Sequence, residues 1–215
     1  MISAGMLHPG NVYLMECAIQ NMPDNGAVVE VGLYGGLSTN LIIHLLQRYQ
    51  RAAAFFGCDA WIYEGYHDQA GQDKTGIDDR PDIPRDIYSA YIREAFMRAT
   101  QLLSAGRLPG TCHCTFEDFY DQWAKQACAT GVFQRTVQLG GPIAFAYIDG
   151  NHAYDFVRRD VENTARHLLP GGFMLLDDTA DHLPFGSRRL AQEWNRRGDF
   201  ELVKKNPNYL LRKKG

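Results

Sequence analysis

Two unbroken apolar runs, Ile143 to Ile148 and Gly172 to Leu176, pass directly into carboxylates: Asp149 after the first, Asp177 and Asp178 after the second. An apolar run of this length without polar alternation fits a strand buried on both faces, as in a parallel sheet covered by helices. Ligands of open α/β sheets gather beyond the carboxyl ends of the strands, so these acids stand where ligand and solvent meet. The first run continues through Gly150 and Asn151 to His152. Three carboxylates and an imidazole at two strand ends suggest a hard-cation site with a base beside it. Consecutive side chains on an extended strand point opposite ways, so Asp177 and Asp178 reach one ion only if the chain bends, and Thr179 to Asp181 is the expected bend.

The rest of the chain alternates strands with helices. Helical spacing covers Asn11 to Gln20; a strand follows at Ala27 to Val31, and a helix begins near Ser38. A second strand, Ala53 to Cys58, ends at Asp59. Glu64 to Pro84 is polar and aperiodic, a long loop expected to act as a lid, and helical spacing returns from Ile87 to about Ser104. A strand at Thr111 to Thr115 and a helix at Glu117 to Ala127 lead through a loop to Ile143. Tyr154 to Leu169 is an amphipathic helix closed by the turn Pro170-Gly171-Gly172, and another helix spans Ser187 to Arg197. Phe200 to Val203 and Tyr209 to Leu211 flank the turn Asn206-Pro207-Asn208. The expected fold is α/β: a Rossmann-like, doubly wound sheet, mostly parallel, with a C-terminal antiparallel hairpin strand. One domain should span residues 1–215, with a lid or substrate insertion at about 62–108.

The 215 residues, 45% hydrophobic and 22% charged, suffice for one full core. A net charge of -3 argues against a nucleic-acid surface, and the Lys204-Lys205 and Arg212 to Lys214 clusters read as guards of an edge strand. No apolar stretch approaches the ~20 residues needed to span a bilayer, so neither a membrane nor a nucleic acid is an expected partner. Self-association stays open. Five cysteines, an odd number without a C-x-x-C pair or signal peptide, point to a reducing, cytoplasmic compartment. Cys112 and Cys114 share a strand face and are read as a structural pair rather than a zinc chelate.

The turn Glu30-Val31-Gly32-Leu33-Tyr34-Gly35-Gly36-Leu37-Ser38 supplies glycines for close approach and a hydroxyl for capping. It does not spell the G-x-G-x-x-G of a pyrophosphate cradle, which counts against a dehydrogenase. A carboxylate at the turn repels phosphate and suits an ammonium group. The plainer account of these glycines is a strand-to-helix connection, and of Asp59 a turn cap.

The pattern E-x-G-x-x-x-G-x-S resembles the first motif of class I S-adenosylmethionine-dependent methyltransferases. Asp149-Gly150-Asn151-His152, Pro170-Gly171-Gly172 and Leu176-Asp177-Asp178-Thr179 resemble the signature of metal-dependent small-molecule O-methyltransferases that tailor macrolide sugars and cephalosporins. The resemblance implies an S-adenosylmethionine site formed by Glu30, Gly32, Leu33, Tyr34, Gly36, Ser38, Asp59, Ala60, Trp61, Thr115, Phe116 and Asp149. Within it, Asp59 would hold the ribose, and Thr115 and Phe116 would frame the adenine; many members carry an acid where this chain has Cys114. It also implies a magnesium-like ion on Asp149, Asp177 and Asp178, with His152 as base, His182 in reserve, and a small-molecule acceptor. Trp61, Tyr63, Tyr66 and His67 are candidate walls of the acceptor pocket. Two alternatives stand beside this reading: a metal-independent enzyme using His152 alone, and a non-catalytic cofactor-binding partner in a tailoring complex.

Overall fold

The computed structural model describes residues 3–62 and 83–215. A seven-stranded sheet has the order β3-β2-β1-β6-β7-β9-β8. Its strands are β1 (Ala27–Val31), β2 (Phe55–Asp59), β3 (Gly110–His113), β6 (Ile143–Ile148), β7 (Leu168–Leu176), β8 (Phe200–Lys205) and β9 (Tyr209–Lys213). β1, β2, β3, β6 and β7 are mutually parallel, and β9 inserts antiparallel between β7 and β8. The expected doubly wound architecture, with its antiparallel hairpin member, is therefore present.

Alternation along the central strands divides the core. Val28, Ala144, Phe145, Tyr147, Phe173 and Leu175 face the helices α1 (Pro9–Asn21) and α2 (Leu37–Arg48). Val29, Val31, Ala146, Ile148, Met174 and Leu176 face α4 (Phe116–Ala124), α5 (Tyr154–His167) and α6 (Gly186–Asn195). All six residues of β6 are buried, as an apolar run covered on both faces requires. Each fully buried Leu, Ile or Phe contributes about 1.5–3 kcal/mol by leaving water. α3 (Arg85–Leu103) packs Ile92 and Phe96 with Leu33 and Trp61 in a third cluster beside the first turn.

Several boundaries differ from the sequence expectation. The segment expected as a loop before Ile143 contains a small antiparallel pair, β4 (Cys128–Thr130) and β5 (Thr136–Gln138). Pro170-Gly171-Gly172 lies inside β7 as a register break against β6, so it bends a strand rather than closing a helix. Ser38 does not cap α2; Gly36 occupies the N-cap at φ 87° with no side-chain hydrogen bond. Cys112 and Cys114 are free thiols, as are the other cysteines. Residues 63–82, including Tyr63, Tyr66, His67 and most of the expected lid, lie outside the described residues. No helix among the described residues is long and apolar enough to cross a membrane.

Candidate active site

The carboxyl ends of β1, β2, β3, β6 and β7 open into one cavity of about 590 Å³. Gly32, Leu33, Tyr34, Ser38, Asp59, Ala60, Trp61, Thr115, Phe116, Asp149 and His152 all line it, as do Asp177 and Asp178. Thirteen of the residues that the sequence nominated, from five strand ends, thus converge on the mouth of the sheet. Two others sit behind the wall. Gly36 shapes the entry to α2, and Glu30 is wholly buried beneath the glycine turn, where Thr39 Oγ1 donates to its Oε2 at 2.6 Å.

At the turn, glycine answers to packing: a Cβ on Gly32, whose φ is 84°, would overlap the carbonyl oxygen of Asp149. The turn's exposed donors are already used. Leu33 N and Tyr34 N both donate to Asp59 Oδ2 at 2.8 Å, and Trp61 N donates to Asp59 Oδ1 at 2.6 Å. Burial raises the Asp59 carboxyl, and these three donors oppose the rise. A carboxylate seated on the amides that would cradle a phosphate excludes a pyrophosphate from this turn and favours a ligand with cationic character.

Trp61, at φ 48°, donates its ring N–H to Tyr34 O at 3.0 Å and packs on Phe96. Thr115 spends its hydroxyl capping α4 through Asp118 N at 3.2 Å, leaving the Phe116 ring as the adjacent wall. The Arg159 guanidinium lies over both Phe116 and Phe156 and pairs with Glu117 at 2.8 Å. Phe116 and Phe156, edge to face, both line the cavity and give it an aromatic wall against which a ring could pack. Residues 5–8 also line the cavity; the sequence reading had no signal for them, because the segment meets the turn only through an isolated bridge between Ala4 and Gly36.

Glu30 carries a pH signature. Burial pushes its carboxyl up to about 8, with the hydroxyls of Ser38 and Thr39 opposing the rise. A folded-state value above the unfolded one means that the folded chain keeps a proton that the unfolded chain loses. The resulting cost is absent below about 4.5, grows with pH and is complete above about 8, reaching on the order of 5 kcal/mol. Glu30→Gln removes this titration. Urea midpoints measured at pH 5 and pH 8 should show the variant gaining on the wild type as pH rises, whereas parallel profiles would mean that the carboxyl is already ionised in the folded protein.

At the other end of the cavity, His152 Nε2 stands 3.0 Å from Asp178 Oδ2 and 3.6 Å from Asp149 Oδ1. One ligand atom from each of these three residues fits within 4.8 Å of the others. Among the described residues no lysine or arginine pairs with Asp149, Asp177 or Asp178, so His152 is the one basic group against three acids. Burial, reinforced by the charge of Asp177, pushes the Asp149 carboxyl well above the usual range. The donor set, oxygen-rich with one imidazole, fits a hard divalent cation.

Asp177, expected in this cluster, borders the cavity but lies outside the three-residue group. Its side chain takes the α1 face of the sheet, where Asn11, Asn208 and Tyr147 bind it. The bend that separates the two acids is Asp178 itself, at φ 50°, not Thr179 to Asp181. His182, the reserve base, is exposed and does not line the cavity. Phe185, which packs on the His152 ring at 5.1 Å between centroids, was missed, since nothing in its local sequence marks it.

Comparison with known proteins accords with this geometry. The fold is similar to that of the O-methyltransferase NovP, at 14% identity and TM-score 0.62 over 98% of this chain and 81% of that one. It is also similar to CalS11, a calicheamicin methyltransferase, at 17% identity and TM-score 0.58 over 95% and 77%. A third similar structure is the O-methyltransferase TomG from Streptomyces achromogenes, involved in tomaymycin synthesis and solved with S-adenosylmethionine (11% identity, TM-score 0.58, 98% and 82%). At such identities the likeness is one of fold. Comparison with curated proteins finds no match. The family pattern described as a methyltransferase domain matches residues 29–179, well over half of the sequence, and the chain belongs to that family.

Proposed function

We propose that the protein transfers a methyl group from S-adenosylmethionine to a hydroxyl of a small polyhydroxylated or phenolic molecule, assisted by a divalent cation such as magnesium. The observation that carries this reading is the cavity's polarity. One end has its backbone amides sealed by Asp59, and the other gathers Asp149, His152 and Asp178. When bound, S-adenosylmethionine supplies an electrophilic methyl on a sulfonium, and a divalent cation supplies Lewis acidity to the acceptor's oxygens. Asp59, Trp61 and Phe116 would hold the nucleoside, and Asp149 and Asp178 would hold the cation.

An unassisted hydroxyl is a poor nucleophile. His152, 3.0 Å from Asp178, would accept its proton, and the oxygen would bond to the methyl carbon as the methyl–sulfur bond breaks and the neutral thioether S-adenosylhomocysteine leaves. The walls from residues 5–8, Phe185 and Trp61 exclude water and hold the reactants in register. The same 3.0 Å contact favours a second reading, in which the His152–Asp178 pair acts as base without an ion. Dependence on a divalent cation separates the two.

Calorimetric titration tests the cofactor assignment. S-adenosylmethionine and S-adenosylhomocysteine should bind and NAD should not. Asp59→Ala, which frees two turn amides and removes the ribose acceptor, should weaken S-adenosylmethionine by about tenfold to a hundredfold, as expected for loss of a charge-assisted hydrogen bond worth about 1.5–3 kcal/mol. Binding of NAD with no binding of S-adenosylmethionine would overturn the proposal.

A further inference from the structure

We propose that Asp177 is a positioning residue rather than a cation ligand, and that Asn11, Tyr147 and Asn208 hold it as the strut joining both chain ends to the cation end of the cavity. The proposal rests on the cation reading above and departs from it in the ligand set. Both oxygens of Asp177 are occupied. Oδ1 accepts from Asn11 Nδ2 at 2.8 Å, from Asp178 N at 2.8 Å and from Asn208 Nδ2. Oδ2 accepts from the Tyr147 hydroxyl. With the residue 7% exposed, four donors surround a carboxylate that water barely reaches.

The donors are themselves fixed. Asn208 Nδ2 also donates to Asn11 Oδ1 at 2.9 Å, and Asn208 Oδ1 accepts from Thr179 N at 2.9 Å. Asn11 lies on α1 and Asn208 in the turn between β8 and β9, so the network closes the chain from its first helix to its last hairpin around Asp177. Rotating the Asp177 carboxylate into the group formed by Asp149, His152 and Asp178 would strip Asn11 Nδ2, Asn208 Nδ2 and Asp178 N–H of their acceptor, and buried donors left unpaired are costly. Strand geometry agrees: Leu175 and Tyr147 point to the α1 face, and Asp177, two residues beyond Leu175, follows them, while Asp178 bends back toward His152. The Tyr147 hydroxyl also lies 3.0 Å from Asp149 Oδ2, so its single proton stands between the two carboxylates and links the strut to Asp149. The ligating carboxylates are then Asp149 and Asp178.

Electron paramagnetic resonance of Mn²⁺ uptake tests this on the full chain, with far-UV circular dichroism confirming the fold. Asp149→Asn and Asp178→Asn should weaken Mn²⁺ by about a hundredfold or more, whereas Asp177→Asn should stay within about tenfold of the wild type, the scale of an outer-shell change. Loss in folded Asp177→Asn equal to that in Asp178→Asn overturns the ligand assignment alone. No uptake by the wild type overturns the cation reading and this assignment with it. Should Asp177→Asn fail to fold, Tyr147→Phe decides: Mn²⁺ weakened by about tenfold supports the strut, and unchanged affinity overturns it.

Discussion

Removing divalent cations with EDTA is expected to lower methyl transfer by about a thousandfold, and Mg²⁺ should restore it. The size follows from the chemistry: Lewis-acid stabilisation of developing oxygen charge is worth several kcal/mol, and about 4 kcal/mol of barrier is about three decades in rate. The direction follows from the site. Asp149 and Asp178 approach each other with His152 as their one basic neighbour among the described residues. Bringing carboxylates together is unfavourable unless a cation or a proton compensates, and the Asp149 carboxyl is raised first by burial and then by the charges of Asp177 and Asp178. Asp178→Asn should reproduce the loss at saturating Mg²⁺ without weakening S-adenosylmethionine, because Asp178 lies at the end opposite Asp59. Full turnover in chelator would transfer the catalytic burden to the His152–Asp178 pair alone.

His152→Ala is the second large effect, with kcat expected to fall by about 10²- to 10³-fold, the range of a well-placed general base. The affinity for S-adenosylmethionine should change little, since the ring faces Asp149, Asp178 and Phe185 rather than the glycine turn. Single-turnover measurement separates the two quantities. Equal losses in kcat and cofactor affinity would assign His152 to binding.

The sheet was legible because its signal is local. Six apolar residues in a row at Ile143 to Ile148 admit few arrangements other than a covered strand, and the acid after them marks the strand's mouth. The glycine-turn end of the cavity was legible for a related reason: Gly32 and Asp59 sit at fixed offsets from strands that could be recognised on their own. The end that holds Asp149, His152 and Asp178 was only half legible. Sequence places Asp177 and Asp178 side by side, but which one joins Asp149 and His152 depends on the positive φ of Asp178 and on Asn11, 166 residues distant from Asp177. Tyr147 was hidden by its own company, since a hydroxyl amid apolar residues reads as a core tyrosine until its partner is known. The β4–β5 pair escaped for want of length, as three-residue strands bearing exposed side chains carry no periodicity.

Assigning Asp59 to the turn amides also explains why the glycines do not make a dinucleotide site. Leu33 and Tyr34 present the donors that a phosphate would seek, and a side chain of the neighbouring strand holds them first. Any ligand of this cavity meets acid at both ends, which suits a sulfonium donor at one and a cation-bound diol or phenol at the other.

The central claim, that one cavity joins a methyl donor to a cation-held hydroxyl, is tested most directly by incubating the protein with methyl-labelled S-adenosylmethionine, Mg²⁺ and a panel of catechols and sugar diols, followed by mass spectrometry. The account predicts label on an acceptor oxygen together with S-adenosylhomocysteine, both lost in EDTA. Label on nitrogen or carbon acceptors, or S-adenosylmethionine bound without transfer to any hydroxyl, would contradict it.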